Sequence, residues 1–349
     1  MRRFLTAGAV AVIAASALFI ALPSPAEAHP KRDFDLQAHR GGLGLVVENT
    51  LPAFANALEL GVTTLELDVQ ITEDGHAVVT HDRRVAATKC LDTAPAFAGD
   101  PEYPYVGKYI TNLTLDQVRT LDCGTLTQVN FPGQEAHPGE RMPLLSEVFG
   151  LVREYRANGV KLNVETKVEA GAPQETAPRA AFVEAVVADI REARIGRQVT
   201  IQSFDWGALM LMGETAPDLP LIALTNISFL QTGQPGASPW LGGIDIDDFG
   251  GDPIAAIASF GADAFSPVHG SPQHGKVGDS DYVPYVTEAM VDHAHDHGIE
   301  VIPWTVDDEA TMRKLVDDGV DGIITDYPDV LREVMRDYGF RLPKRYRAC

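Results

Sequence analysis

The fold class predicted for this 349-residue chain is α/β, a (β/α)8 TIM barrel with a disulfide-stapled insertion after the second strand. Three observations carry the prediction. β-Rich runs alternate with helical patterns nearly to the end of the chain, and eight such units in about 300 residues suit a closed barrel. No Gly-x-Gly-x-x-Gly follows the first strand, which disfavours an open dinucleotide-binding sheet. Cys90 and Cys123 both fall in one long stretch that interrupts the alternation.

Taken in order, residues 1–28 read as a secretory signal. Arg2 and Arg3 precede an apolar run over residues 4–22, and Ala26-Glu27-Ala28 is a small-x-small cleavage site. The expected mature domain is 29–349, secreted to the cell exterior; a retained membrane anchor is the alternative, because the apolar run is long for a signal. No other stretch is apolar enough to span a bilayer. Strands are expected at 35–39, 63–69, 160–165, 198–202, 220–224, 262–265, 300–304 and 322–325. Helical patterns lie at 51–60, with Thr50 as cap and Pro52 tolerated in the first turn, and at 181–193, 285–297, 308–317 and 330–338. Residues 84–143 are too many for a simple connection and read as an inserted subdomain. In an exported chain a Cys90–Cys123 disulfide is expected to staple it, leaving Cys349 unpaired. A second break, residues 225–252, reads as a long loop. Barrels carry their active sites on loops at the carboxyl ends of the strands, so both breaks can wall a cleft.

The chemistry concentrates near the first two strands. Side chains i and i+2 share a face of a strand, so Glu66 and Asp68 point the same way as two oxygen ligands. Glu165 on the next strand is the expected third ligand, and Lys167 shares its face. Carboxylate oxygens suit one divalent hard cation, Ca²⁺ or Mg²⁺. Barrel strands are buried on both faces, where unpaired carboxylates are costly. His39 and His81, each at a strand end, suit the two proton transfers of phosphodiester cleavage. Arg40 and Lys167 supply positive charge to phosphate oxygens. Read as a two-residue hairpin loop, Asp74-Gly75 would set Asp68 directly opposite His81; a three-residue loop would shift that register.

His39-Arg40-Gly41, Glu48-Asn49-Thr50, Glu66-x-Asp68, Asp74-Gly75 leading to His81-Asp82, Glu165-x-Lys167, Trp304-Thr305-Val306 and the segment 322–328 together resemble the glycerophosphodiester phosphodiesterase family. The order matches over nearly the whole mature chain. The resemblance implies a TIM barrel, a divalent metal, and hydrolysis of glycerophosphodiesters to glycerol 3-phosphate and an alcohol. It implies that His39 and His81 are the acid/base pair and that Glu66, Asp68 and Glu165 are the metal ligands. Arg40 and Lys167 then hold phosphate, and Trp304 lines the glycerol side. It further suggests attack by the free glycerol hydroxyl through a cyclic phosphate; the residues leave direct attack by water open.

Charge sets limits on partners. Loss of Arg2, Arg3 and Glu27 with the signal moves the net charge from −21 to −22, which argues against nucleic acid. A small-molecule or polymeric glycerophosphodiester remains compatible, bound by local cations and a metal. Wall teichoic acid and lysophospholipid or sphingomyelin headgroups are rival substrates, and a noncatalytic binding module on the same barrel is a rival of another class. Other features read as structural. On a helix only the first and last of His293, His295 and His297 share a face, and the Asp-rich run 245–252 lacks calcium-loop spacing. Asn112 and Asn226 stand in glycosylation sequons, and residues 341–347 form a basic tail.

Overall fold

A computed structural model of the chain describes residues 33–348; the signal expected over residues 1–28 and the terminal Cys349 lie outside them. The strands are β1 (Asp35–Ala38), β2 (Thr64–Ile71), β3 (Ala77–Val79), β4 (Lys161–Thr166), β5 (Val199–Ser203), β6 (Leu221–Thr225), β7 (Ala264–Pro267), β8 (Gly270–Ser271), β9 (Val283–Pro284), β10 (Glu300–Val301) and β11 (Gly322–Thr325). Eight of them run parallel in the order β10-β7-β6-β5-β4-β2-β1-β11. Asp321 N–H donates to Val301 O and Ile324 N–H to Pro303 O, each at 3.0 Å, which joins the two ends of that order. All eight expected strands are present. The seventh is short because Pro303, inside its expected span, has no N–H to give a ladder.

Residue alternation explains the two sides of the wall. On β2, Leu65, Leu67, Val69 and Ile71 are buried in the large apolar cluster beneath the helices. The alternate residues Thr64, Glu66, Asp68 and Gln70 are equally buried yet polar. Part of the barrel interior is correspondingly a hydrogen-bonded lattice: Asn163 donates to Gln37 (2.9 Å) and Gln202 (2.8 Å). Ile222, Ala264, Ile302 and Ile324 form a small apolar cluster that packs against Trp304.

The helices are α1 (Leu51–Leu60), α2 (Leu115–Val118), α3 (Leu145–Glu154), α4 (Arg179–Ala193), α5 (Trp206–Thr215), α6 (Ile227–Leu230), α7 (Pro253–Ala258), α8 (Glu288–Asp296), α9 (Glu309–Asp317) and α10 (Pro328–Asp337). Thr50 caps α1 as expected, accepting from Ala53 N–H at 3.3 Å. Among the described residues no helix is long and apolar enough to cross a membrane.

The hairpin corrects one expectation. Its loop has three residues, Glu73-Asp74-Gly75, because Thr72 O accepts from Gly75 N–H at 3.0 Å and Gly75 sits at φ +85°, the turn-plus-glycine form of a three-residue loop. The register becomes Val69↔Val79 and Ile71↔Ala77. Thr80, not His81, therefore stands against Asp68, with Thr80 N–H donating to Asp68 O at 3.0 Å. His81 leaves the strand, and its approach to the carboxylates comes from the loop that follows.

The insertion has its own core. Val85, Tyr105, Ile110, Leu113, Val118, Leu121 and Met142 cluster with Val78 around the Cys90–Cys123 disulfide. The bond closes a loop with a sequence separation of 33. Replacing both cysteines by alanine is expected to cost about 3 to 4 kcal/mol in the chain-entropy account. Urea unfolding of the double variant checks this, and an unchanged midpoint would refute it.

Candidate active site

The site is built at the carboxyl ends of β1, β2 and β4. After β1 the chain turns sharply through His39-Arg40-Gly41. Arg40 takes the left-handed conformation at φ 52°, a strain typical of functional sites. That turn aims Arg40 N–H at Glu66 Oε2 (2.8 Å). Gly41 lets it pack against α1, because a Cβ there would lie 2.9 Å from that of Ala53.

Glu66, Asp68 and Glu165 meet as the strand spacing implied. Asp68 and Glu165 are register partners on β2 and β4. One carboxylate oxygen from each of the three lies within 4.8 Å of the others, and all three residues are buried. Glu66 accepts from Gln202 Nε2 at 2.7 Å, and Asp68 Oδ2 accepts from Asn49 Nδ2 at 2.9 Å. Asp68 Oδ1 is buried without a hydrogen-bond partner. Burial and the Asp68 charge push Glu66 up to about 8, and burial likewise lifts Glu165 to about 7 against the pull of Lys167. Three buried acids that repel one another, one with an orphaned oxygen, fit a divalent cation, which the family implied by the sequence requires.

Two cations flank this cluster. Lys167 Nζ lies 2.8 Å from Glu165 Oε1 and 3.7 Å from Asp68 Oδ1. Arg40 reaches Glu48 (3.1 Å) and Asp68 (3.4 Å). Burial works against both charges, but the surrounding carboxylates outweigh it and raise both groups above their usual values.

Each histidine is tethered through Nδ1 to an aspartate. His39 pairs with Asp326 at 2.5 Å and His81 with Asp82 at 2.7 Å. In the neutral rings the tethers make Nδ1 the donor and leave the lone pair on Nε2, which at His39 accepts from Arg40 Nε at 3.2 Å. Burial and Arg40 oppose protonation of His39, yet Asp326 prevails and its affinity for a proton is raised. Enclosure, then Arg40 and Lys167, push His81 down to about 4. Asp326 is itself held by Asp307, whose Oδ1 accepts from Asp326 N–H at 2.9 Å.

His39, His81, Arg40, Lys167, Glu66, Glu165 and Trp304 all line one cavity of about 610 Å³. Its other wall is aromatic. Phe204 meets Trp304 edge-on at 5.3 Å, and Phe229 stacks on Trp240 at 4.2 Å. The loop expected at 225–252 supplies Phe229 and Trp240, which sequence reasoning did not single out. It also gave no role to Asp326, although that residue stands in the quoted terminal motif. The three histidines on and after α8 have separate partners: His293 pairs with Asp252 (2.7 Å), His295 with Asp321 (2.8 Å), and His297, whose ring meets that of His293 edge-on at 4.7 Å, bonds the His293 carbonyl (2.9 Å).

A parallel barrel with a buried acidic trio, two cations and two tethered imidazoles at its mouth belongs to the phosphoesterase class. Residues 39–330 match the glycerophosphoryl diester phosphodiesterase family, and the chain belongs to that family. A glycerophosphodiester phosphodiesterase of Caldanaerobacter subterraneus subsp. tengcongensis is 28% identical over 302 residues, which cover 86% of this chain and 98% of that one. A Silicibacter pomeroyi crystal structure assigned to the same activity superposes with TM-score 0.71 at 32% identity, covering 89% of this chain and 96% of the other. An Oleispira antarctica phosphodiesterase, solved with sn-glycerol-3-phosphate, shares the fold with TM-score 0.60 at 19% identity, covering 86% and 96%. The chain is thus a metal-dependent phosphodiesterase that hydrolyses glycerophosphodiesters.

Proposed function

We propose that the enzyme is exported and cleaves glycerophosphodiesters to glycerol 3-phosphate and an alcohol, with His39 and His81 moving the protons. The observation that carries this reading is the convergence of both imidazoles on the cavity that holds the acidic trio. Glu66, Asp68 and Glu165 would hold one Ca²⁺ or Mg²⁺, which when bound neutralises charge on phosphate oxygens. Arg40 and Lys167 clamp the remaining oxygens. One histidine takes the proton of the attacking oxygen at Nε2, and the other gives a proton to the leaving oxygen. Because His39 holds a proton more readily and His81 less so, His39 suits the acid role and His81 the base role in the first step. Export rests on the residues 1–28 pattern and on the disulfide, which suits an oxidising compartment.

The aromatic wall supports a second reading of the substrate. Phe204, Phe229, Trp240 and Trp304 provide apolar surface that a lysophospholipid could cover with its acyl chain. A panel of glycerophosphocholine, glycerophosphoglycerol, a lysophospholipid and teichoic acid chains, each with and without EDTA, tests both readings. Turnover of the deacylated diesters, lost in EDTA and restored by Ca²⁺ or Mg²⁺, is the expected result. Preference for the lysophospholipid would favour the second reading, and no turnover of any would favour a binding module.

A further inference from the structure

The insertion lines the cavity with Arg84 and Ala86, and its Lys89 reaches the charged groups beside it. Lys89 directly precedes the disulfide-bonded Cys90, and its ammonium lies between two carboxylates, 2.9 Å from Asp82 Oδ2 and 2.8 Å from Glu48 Oε1. Each carboxylate spends its other oxygen on a residue of the cavity: Asp82 Oδ1 on His81 Nδ1 at 2.7 Å, Glu48 Oε2 on Arg40 Nη1 at 3.1 Å. The result is an unbroken chain of charged contacts, His81–Asp82–Lys89–Glu48–Arg40. Gln128, also from the insertion, adds a bond to Glu48 Oε2 at 2.7 Å.

The lysine is placed by backbone as well as by charge. Lys89 N–H and Cys90 N–H both donate to Ala86 O, at 3.0 and 2.9 Å. Leu91 and Asp122 exchange two backbone bonds, at 2.8 and 3.0 Å, beside the Cys90–Cys123 link. Asp82, by contrast, lies a third exposed on the loop after β3. Among the described residues its contacts beyond His81 run to Lys89 alone. Without that cation the aspartate is free to turn toward water, and the imidazole loses the partner that sets its tautomer.

We infer that Lys89 is a positioning residue: by sharing its ammonium between Asp82 and Glu48 it holds His81 and Arg40 in one fixed relation across the cavity. The insertion is then part of the catalytic apparatus rather than an appendage. Lys89 itself touches no reacting atom. The inference rests on the catalytic reading of His81 and Arg40 given above.

The test compares wild type, Lys89→Met and Lys89→Arg. Lys89→Met is expected to lower kcat roughly ten- to a hundredfold, the range for removing partners that orient a functional imidazole. Its melting temperature should stay close to wild type, and Lys89→Arg, which can still span both carboxylates, should recover most of the loss. Independently of turnover, the ¹⁵N spectrum of the His81 ring should show the Nδ1-protonated tautomer in wild type and a mixture of tautomers in Lys89→Met. Wild-type kcat together with an unaltered His81 spectrum in Lys89→Met would overturn the inference. If wild type turns over no diester, the catalytic reading falls, while the ring spectrum still decides whether Lys89 orients His81.

Discussion

Alanine at His39 or at His81 is expected to lower kcat by about 10² to 10⁴, the usual worth of a positioned acid or base. The effect should be comparable at the two positions, because both rings line the same cavity while an aspartate holds each Nδ1. Neither ring belongs to the acidic trio, so both variants should still gain thermal stability from added metal. That retained response separates loss of proton transfer from loss of the site. The double variant should be little worse than the poorer single one, since groups that act as a unit are not additive. Wild-type turnover in either single variant would remove that histidine from the mechanism.

Asp68→Asn should be at least as damaging. Asn49 Nδ2 donates to Asp68 Oδ2, so an asparagine would turn its carbonyl oxygen to that donor. Its amide hydrogens then fall where Oδ1 has no partner, aimed at the space a cation would take. We expect kcat to fall by roughly 10³ or more, because charge stabilisation by a metal is worth several kcal/mol. Wild type should be stabilised by about 2.7 kcal/mol when Ca²⁺ or Mg²⁺ is present at a hundred times its Kd; the variant should show no such gain. An unchanged metal response in Asp68→Asn would exclude Asp68 as a ligand.

Much of this site is legible in the amino-acid sequence because its parts are local. Glu66 and Asp68 share a face through the two-residue period of a strand, and Glu165 joins them because neighbouring parallel strands run in register. The insertion is legible as a break in alternation, and its disulfide from two cysteines inside that break in a chain whose first residues read as a secretory signal. The Asp68–His81 pairing failed for a local reason too. One extra loop residue, with Gly75 in the left-handed region, shifts every cross-strand pair by one.

By itself, then, the sequence determined the barrel, the acidic trio, the two histidines and the flanking cations, since each follows from strand period, element order or residue chemistry. Tertiary structure alone decided what holds those groups. Asp326 lies 287 positions from His39 and reaches it only because β11 pairs with β1. Phe229, on the four-residue α6, and Trp240 enter the cavity from a stretch that reads as loop in the sequence, and Lys89 arrives from the insertion through a fold anchored by a disulfide. The physical reason is range. Backbone periodicity repeats every few residues and is written along the chain, whereas the partners of a buried charge are chosen by which distant segments the closed barrel brings within hydrogen-bond reach.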